Sequence, residues 1–177
     1  PTSFPDPDRP DVYYHLIHPP SPFSDELAAF GVSFLSQPPP VASSSTVIGW
    51  LPAQRLGGSS EAGLNEFKEN PAFRDLLHEA IAEGLAEDVD DIQRNGAIQL
   101  GEGWMHINDA RNAPPLGRIG DPDDIIGSVR VEEGKILPET YQPMPSYRLC
   151  TSDGVTQLTE GLARRFRRLL EVRAKAE

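Results

Sequence analysis

Cysteine is almost missing from this chain of 177 residues, which holds a single one, Cys150. An internal disulfide and a Cys₂His₂ zinc site are therefore excluded, and a reducing, cytoplasmic setting is expected. No apolar run reaches transmembrane length, so no membrane span is expected. The opening residues, PTSFPDPDRPDVYY, lack the basic start and apolar stretch of a secretory leader and the arginine content of a transit peptide. Positive charge is scarce: 16 Lys and Arg stand against 27 Asp and Glu, a formal net charge of −11. Binding a duplex requires a cationic surface that displaces counterions, so nucleic acid is not an expected partner. The chain also contains no G-x-S-x-G, no P-loop and no twelve-residue EF-hand pattern.

What is present supports a folded protein. Hydrophobic residues make up 38% of the chain, enough for a core in a single domain. Eleven of the 18 prolines fall in residues 1–60, which reads as an irregular N-terminal segment with one or two short strands. Within it, residues 1–11 look like a loose tail, VYYHLIH (12–18) a short edge strand at best, and STVIGWL (45–51) a better strand. AQRLGGSSEAG (53–63) reads as a flexible connector.

Residues 61–177 carry the regular elements. Asn70 followed by Pro71 is a helix start, because the asparagine can cap and proline's missing N–H is harmless at the first helical position. Phe73, Leu76, Leu77, Ala80, Ile81, Gly84 and Leu85 then recur on one stripe, with Asp75, Glu79, Glu83 and Glu87 away from it. His78 falls on the polar flank and reads as a surface histidine. A second short helix is expected within 88–101, weakened by Gly96. GWMHIND (103–109) alternates, placing Trp104, His106 and Asn108 on one face and Met105, Ile107 and Asp109 on the other. IIGSVRV (125–131) and KILPETYQ (135–142) flank Glu-Gly as a hairpin, with Glu132 facing Lys135. SYRLCT (146–151) and VTQL (155–158) flank Ser-Asp-Gly as a second hairpin. A last helix follows Thr159, its possible cap, with Leu162, Phe166, Leu169 and Leu170 as the stripe. The expected class is α+β: an antiparallel β-meander packed against an amphipathic helix and a C-terminal helix.

The candidate site lies in 103–129, where polar and aromatic residues concentrate. LGRIGDPDDIIG resembles the stretch before the last helix of short-chain dehydrogenases. That family is rejected, because no G-x-G-x-x-G is present and no tyrosine has lysine four residues later. Asp121 can instead cap a turn started by Pro122. The histidines, His15, His18, His78 and His106, show no metal-ligand spacing, and neither a metal nor a cofactor is expected. Cys150, in YRLCT, reads as a small buried hydrophobe. His106 is the candidate general acid or base, which Asp109 or Asp121 would orient. Trp104, Asn108, Arg111, Arg118 and Tyr141 are the candidate ligand-binding residues. TYQPMPSYR (140–148) reads equally as a recognition surface or as a strand end.

NPAFRDLLHEAI, GWMHINDARNAPPLGRIGDPDDIIGSV and ETYQPMPSYRLCTSDGVTQLTEGLA together resemble an uncharacterised fungal protein family, over roughly residues 68–163. The resemblance implies a fungal intracellular protein and carries over no functional residue. The leading expectation is a non-catalytic domain that binds a small molecule or a protein partner on its exposed sheet side. The alternatives are a small hydrolase, lyase or isomerase using His106, and an interaction module docking through the C-terminal helix. That helix's segment, 159–177, holds six bases against three acids, whereas 61–95 holds ten acids against three bases.

The stripe on the first helix generates a stability prediction. Leu77→Ala should cost about 2–5 kcal/mol if buried, and Glu79→Ala should stay within about 0.5 kcal/mol. Denaturant titration of both variants decides the matter; equal losses would put the stripe on the wrong face.

Overall fold

Prolines do not break strands when they stand at strand ends, and that placement organises the front of this protein. A computed structural model describes residues 2–53, 66–115 and 117–177. Most of the expected connector at 53–63 lies outside those residues. The fold is α+β, and the chain divides into two compact units, one of Pro1–Leu76 with Arg167–Glu177 and one of Leu77–Phe166.

The first unit contains a five-stranded antiparallel sheet in sequential order: β1 (Ser3–Pro5), β2 (Tyr13–Ile17), β3 (Ala29–Ser33), β4 (Val47–Pro52) and β5 (Lys68–Glu69). Two corrections follow. The expected loose tail supplies β1, and β2 is an interior strand between β1 and β3 rather than an edge. Proline density concealed this. Within these strands proline occurs only at Pro5 and Pro52, each the last residue of its strand, and the other prolines of residues 2–53 lie between strands. Ile17, Ala29, Val47 and Trp50 make a buried cluster, with Phe23 and Ala42 against it. His15 is buried as well, bonded to Ser3 Oγ (2.7 Å) and the Leu35 carbonyl (2.8 Å).

The helix α1 (Pro71–Ala86) starts where Asn70 and Pro71 place it. Asn70 Oδ1 accepts from Ala72 N (3.1 Å), while its Nδ2 donates to the Ser44 and Val47 carbonyls (3.0 and 2.8 Å). One buried amide thus caps the helix and ties it to the loop before β4. The same loop receives the end of α3 (Glu160–Ala176): Glu177 accepts from Ser44 Oγ, Ser45 Oγ and Ser45 N. Partial burial pulls the Glu177 carboxyl up, but these bonds and the charge of Arg173 outweigh it and hold the group below its usual range.

The second unit holds the rest of α1, then α2 (Asp91–Leu100) and a three-stranded antiparallel sheet in the order β6 (Gly103–Asn108), β7 (Ile125–Glu132), β8 (Lys135–Pro143). A small hairpin of β9 (Cys150–Thr151) and β10 (Gly154–Val155) precedes α3. The β7–β8 turn is Glu133-Gly134, both at positive φ (51° and 72°), as a tight hairpin between right-twisted strands requires. Glu132 does pair with Lys135 in register, yet its ion pair is with Arg130 at 3.9 Å. The second hairpin is shorter than expected, and Cys150 in it is half-buried rather than buried. Acidic and basic helix faces meet at Arg165, which pairs with Glu83 and Glu87.

The start of α3 is capped by a residue distant in sequence. Asp90 is 3% exposed. Its Oδ1 accepts from Gln93 N in the first turn of α2 (3.1 Å), and its Oδ2 accepts from Leu162 N in the first turn of α3 (2.9 Å). Thr159 donates its hydroxyl to the same carboxylate (2.7 Å) instead of capping the helix with its own oxygen. One anion thus serves two positive helix ends.

Asp90→Ala should lower stability by about 2–4 kcal/mol, the loss of two caps at about 1–2 kcal/mol each; chemical denaturation measures it, and a loss near zero would sink the double cap. At Glu177 the sign is that of a depressed carboxylate: the stability it contributes is full above the unfolded value near 4.5 and fades as pH falls through the lower folded value. Thermal melts of Glu177→Gln should therefore approach those of the parent protein as the pH drops below that window.

Candidate functional site

The strand β6 runs antiparallel to β7, and its register sets His106 opposite Ser128 and Trp104 opposite Arg130. The expected alternation shows in burial except at Met105, which is half-buried like His106. Ile107 and Asp109 are buried, whereas Trp104 is 50% exposed and His106 is half-buried. His106 Nδ1 lies 2.9 Å from Ser128 Oγ across the strands.

His106 and Asn108 open into a groove of about 520 Å³ between β6 and α2. Its helix wall consists of Ile92, Gln93, Gly96, Gln99 and Leu100, residues at helical spacing on one side of α2. Met105 completes the strand wall, and Ala110, Ala113, Pro114, Gly117 and Thr159 close the ends. None of these side chains is ionisable except His106. Ile92 and Leu100 are exposed, at 61% and 44%, so the groove offers apolar surface to solvent. Asn108 Oδ1 is shut behind Gly120 and Pro114 without a hydrogen-bond donor among the described residues. A larger depression of about 800 Å³ lies on the other side of α2, against the β7–β8 turn. It contains the charged pair Arg94–Asp88, already satisfied internally, and none of the candidate residues.

Arg111 requires a correction. Its side chain is 1% exposed and faces the interior. Nε donates to Asp124 Oδ1 (2.9 Å), Nη1 lies 3.3 Å from Asp109 Oδ2, and Nη2 donates to the Asp123 and Arg148 carbonyls (3.1 and 2.7 Å). The guanidinium also sits 5.4 Å from the centre of the Tyr147 ring. Tyr147 is buried and donates its hydroxyl to Asp109 (2.6 Å). A cation with every edge taken up inside the protein has no donor left for a ligand. Asp109, one of the two carboxylates expected to orient His106, belongs to this cluster instead. The turn at Pro122–Asp124 forms where expected, but Asp121 makes no side-chain cap, and Asp124 is buried on Arg111.

Tyr141 is placed elsewhere too. On β8, its hydroxyl lies 2.8 Å from His78 Nδ1 on α1. Gly127 makes room for it, since a Cβ there would come within 2.6 Å of the ring. His78 is therefore half-buried and bonded, not a plain surface histidine. Arg118 is exposed, and its guanidinium has no partner among the described residues. The structure thus brings together His106 and Asn108, leaves Trp104 on the same strand, and assigns Arg111 and Tyr141 to internal contacts. The helix wall of the groove went unread in the sequence, although Ile92, Gly96 and Gln99 fall at the i, i+4, i+7 spacing that would have signalled it.

Burial drives the electrostatics of the Arg111 cluster. It raises the Asp109 carboxyl above its usual value against the opposing pull of Arg111 and the Tyr147 hydroxyl, and it raises the Tyr147 phenol well above its own. Among the described residues no three His, Cys, Asp or Glu side chains converge as a metal site. No helix among them is long and apolar enough to cross a membrane. In comparisons with protein-family models, curated proteins and solved structures, nothing matches this chain.

Arg111→Ala should cost about 3–5 kcal/mol, because it leaves buried carboxylates uncompensated. The raised Asp109 sets the pH dependence. Its stabilising contribution is present below the unfolded value near 3.8 and is lost as pH rises through the folded value. Removing Arg111 raises that folded value further, so the deficit should be larger at neutral pH than in mild acid. Denaturant melts at both pH values give the comparison; a deficit that grows on acidification contradicts this assignment.

Proposed function

We propose that this protein acts by binding, and that the α2–β6 groove is its site. The observation that carries the reading is the composition of the groove. His106 and the exposed Gln99 supply polar groups beside the exposed aliphatic surface of Ile92 and Leu100, with half-buried Met105 and Asn108 next to them. Such a lining suits an uncharged ligand or partner segment, since a few polar groups orient what the apolar surface holds. An acid–base role for His106 has less support, because its partner is the Ser128 hydroxyl and Asp109 is engaged with Arg111. A single cysteine supports a reducing, cytoplasmic setting for this activity.

The test is a thermal-shift screen with neutral metabolites and short peptides on the parent protein and on Ile92→Glu. Residue 92 is an exposed helix position, so the substitution should change stability by no more than about 0.5 kcal/mol while placing a charge in the groove. A true ligand at about a hundred times its Kd should stabilise the parent by about 2.7 kcal/mol and leave the variant unmoved. Equal shifts in both proteins, or none across the screen, would overturn the reading.

A further inference from the structure

The backbone of β6 shows what kind of occupant the groove is built for. In β7, the Ile126 carbonyl accepts from Met144 N (2.9 Å) and Arg130 N donates to Thr140 Oγ1 on β8 (2.8 Å). The even-numbered residues of β7 thus turn their peptide groups toward β8, and the odd-numbered ones, Gly127, Val129 and Val131, turn theirs toward β6. Their partners on β6 are Ile107, Met105 and Gly103. It follows that Trp104 and His106 direct their N–H and C=O groups away from β7. β6 is the outer strand of its sheet, and among the described residues nothing bonds to these four groups. Met105 and His106, whose side chains leave opposite faces of the strand, both line the groove. A groove bordered by both faces of a strand runs along the strand's edge.

We propose that the α2–β6 groove takes an extended, uncharged peptide segment, which adds to the free edge of β6 as a fourth strand. The proposal rests on the binding role assigned to this groove above. Unpaired main-chain donors and acceptors recognise another main chain, while the adjoining helix supplies pockets for alternate side chains. Ile92 and Leu100 make those pockets aliphatic. The protein's net charge of −11 disfavours an acidic segment, and the lining offers no carboxylate to hold a basic one. A segment about as long as β6, which has 6 residues, spans the edge.

The probe is a random nonapeptide library displayed against the full chain, with Ile92→Glu as counter-selection. Enriched peptides are synthesised with single N-methyl groups along the backbone and titrated. Strand addition in either direction uses every second peptide N–H. Methylation at alternate positions should therefore weaken binding by about tenfold, and at the intervening positions by less than about twofold. Bound peptide should also slow hydrogen exchange at the Trp104 and His106 amides relative to Met105. Uniform tolerance of methylation, unchanged exchange at both amides, or failure of any peptide to enrich over Ile92→Glu would overturn strand addition. If small neutral molecules still shift the parent but not the variant, the binding groove survives and only its peptide occupant falls; if Ile92→Glu alters nothing, the groove itself falls.

Discussion

A single buried guanidinium holds together the loops that follow the β6–β7–β8 sheet. Arg111 meets Asp109 at the end of β6, Asp124 at the start of β7, and main-chain carbonyls at Asp123, Arg148, Leu149 and Gly154. Removing charges from water costs several kcal/mol per ion, and only near-complete pairing offsets it. The fork of Arg111 achieves that by spreading its donors over three stretches of chain. Asn112 completes the arrangement by donating to the second oxygen of Asp124, and Tyr147 by donating to the same Asp109 oxygen that Arg111 approaches. The loops at one end of the sheet are thereby pinned, and with them the residues that close the groove.

The groove combines stiffness with unfinished bonding. Its strand wall is half of a ladder whose other edge is open, and its helix wall is anchored at the N-terminus by Asp90, which also receives the first turn of α3. Preorganised walls of this kind would lower the ordering cost of the proposed binding. The exposed aliphatic residues of α2 are poorly explained by folding, since they contribute little to the core. The proposed binding role accounts for two of them, Ile92 and Leu100, which line the groove, whereas Ile98 lies in the depression on the other side of the helix.

Several features were legible in the chain because they depend on local rules. Asn70-Pro71 started a helix, the stripe from Phe73 to Leu85 was buried, Glu-Gly made the turn, and alternation from Gly103 separated Trp104 and His106 from Ile107 and Asp109. The role of Arg111 was not legible. A charged residue beside a polar run has the same sequence signature whether it points to solvent or is paired inside, and all its partners but Asp109 lie 12 to 43 positions away. One signal was present: Asp109 shares the parity of the buried Ile107, which turns its carboxylate inward, where it needs a paired cation. Tyr141 escaped for a related reason, because its partner His78 belongs to α1 and its berth depends on the missing side chain at Gly127.

Sequence alone settled the α+β class, the start of α1 and the Glu-Gly turn, since capping, periodicity and turn conformation are properties of a few neighbouring residues. Tertiary structure decided the rest: that the proline-rich front is a sheet, that one carboxylate caps two helices, and that α2 and the open edge of β6 form two walls of one groove. Each of these arises when segments far apart in the chain satisfy one another's hydrogen bonds and charges, and no local pattern encodes which segments will meet.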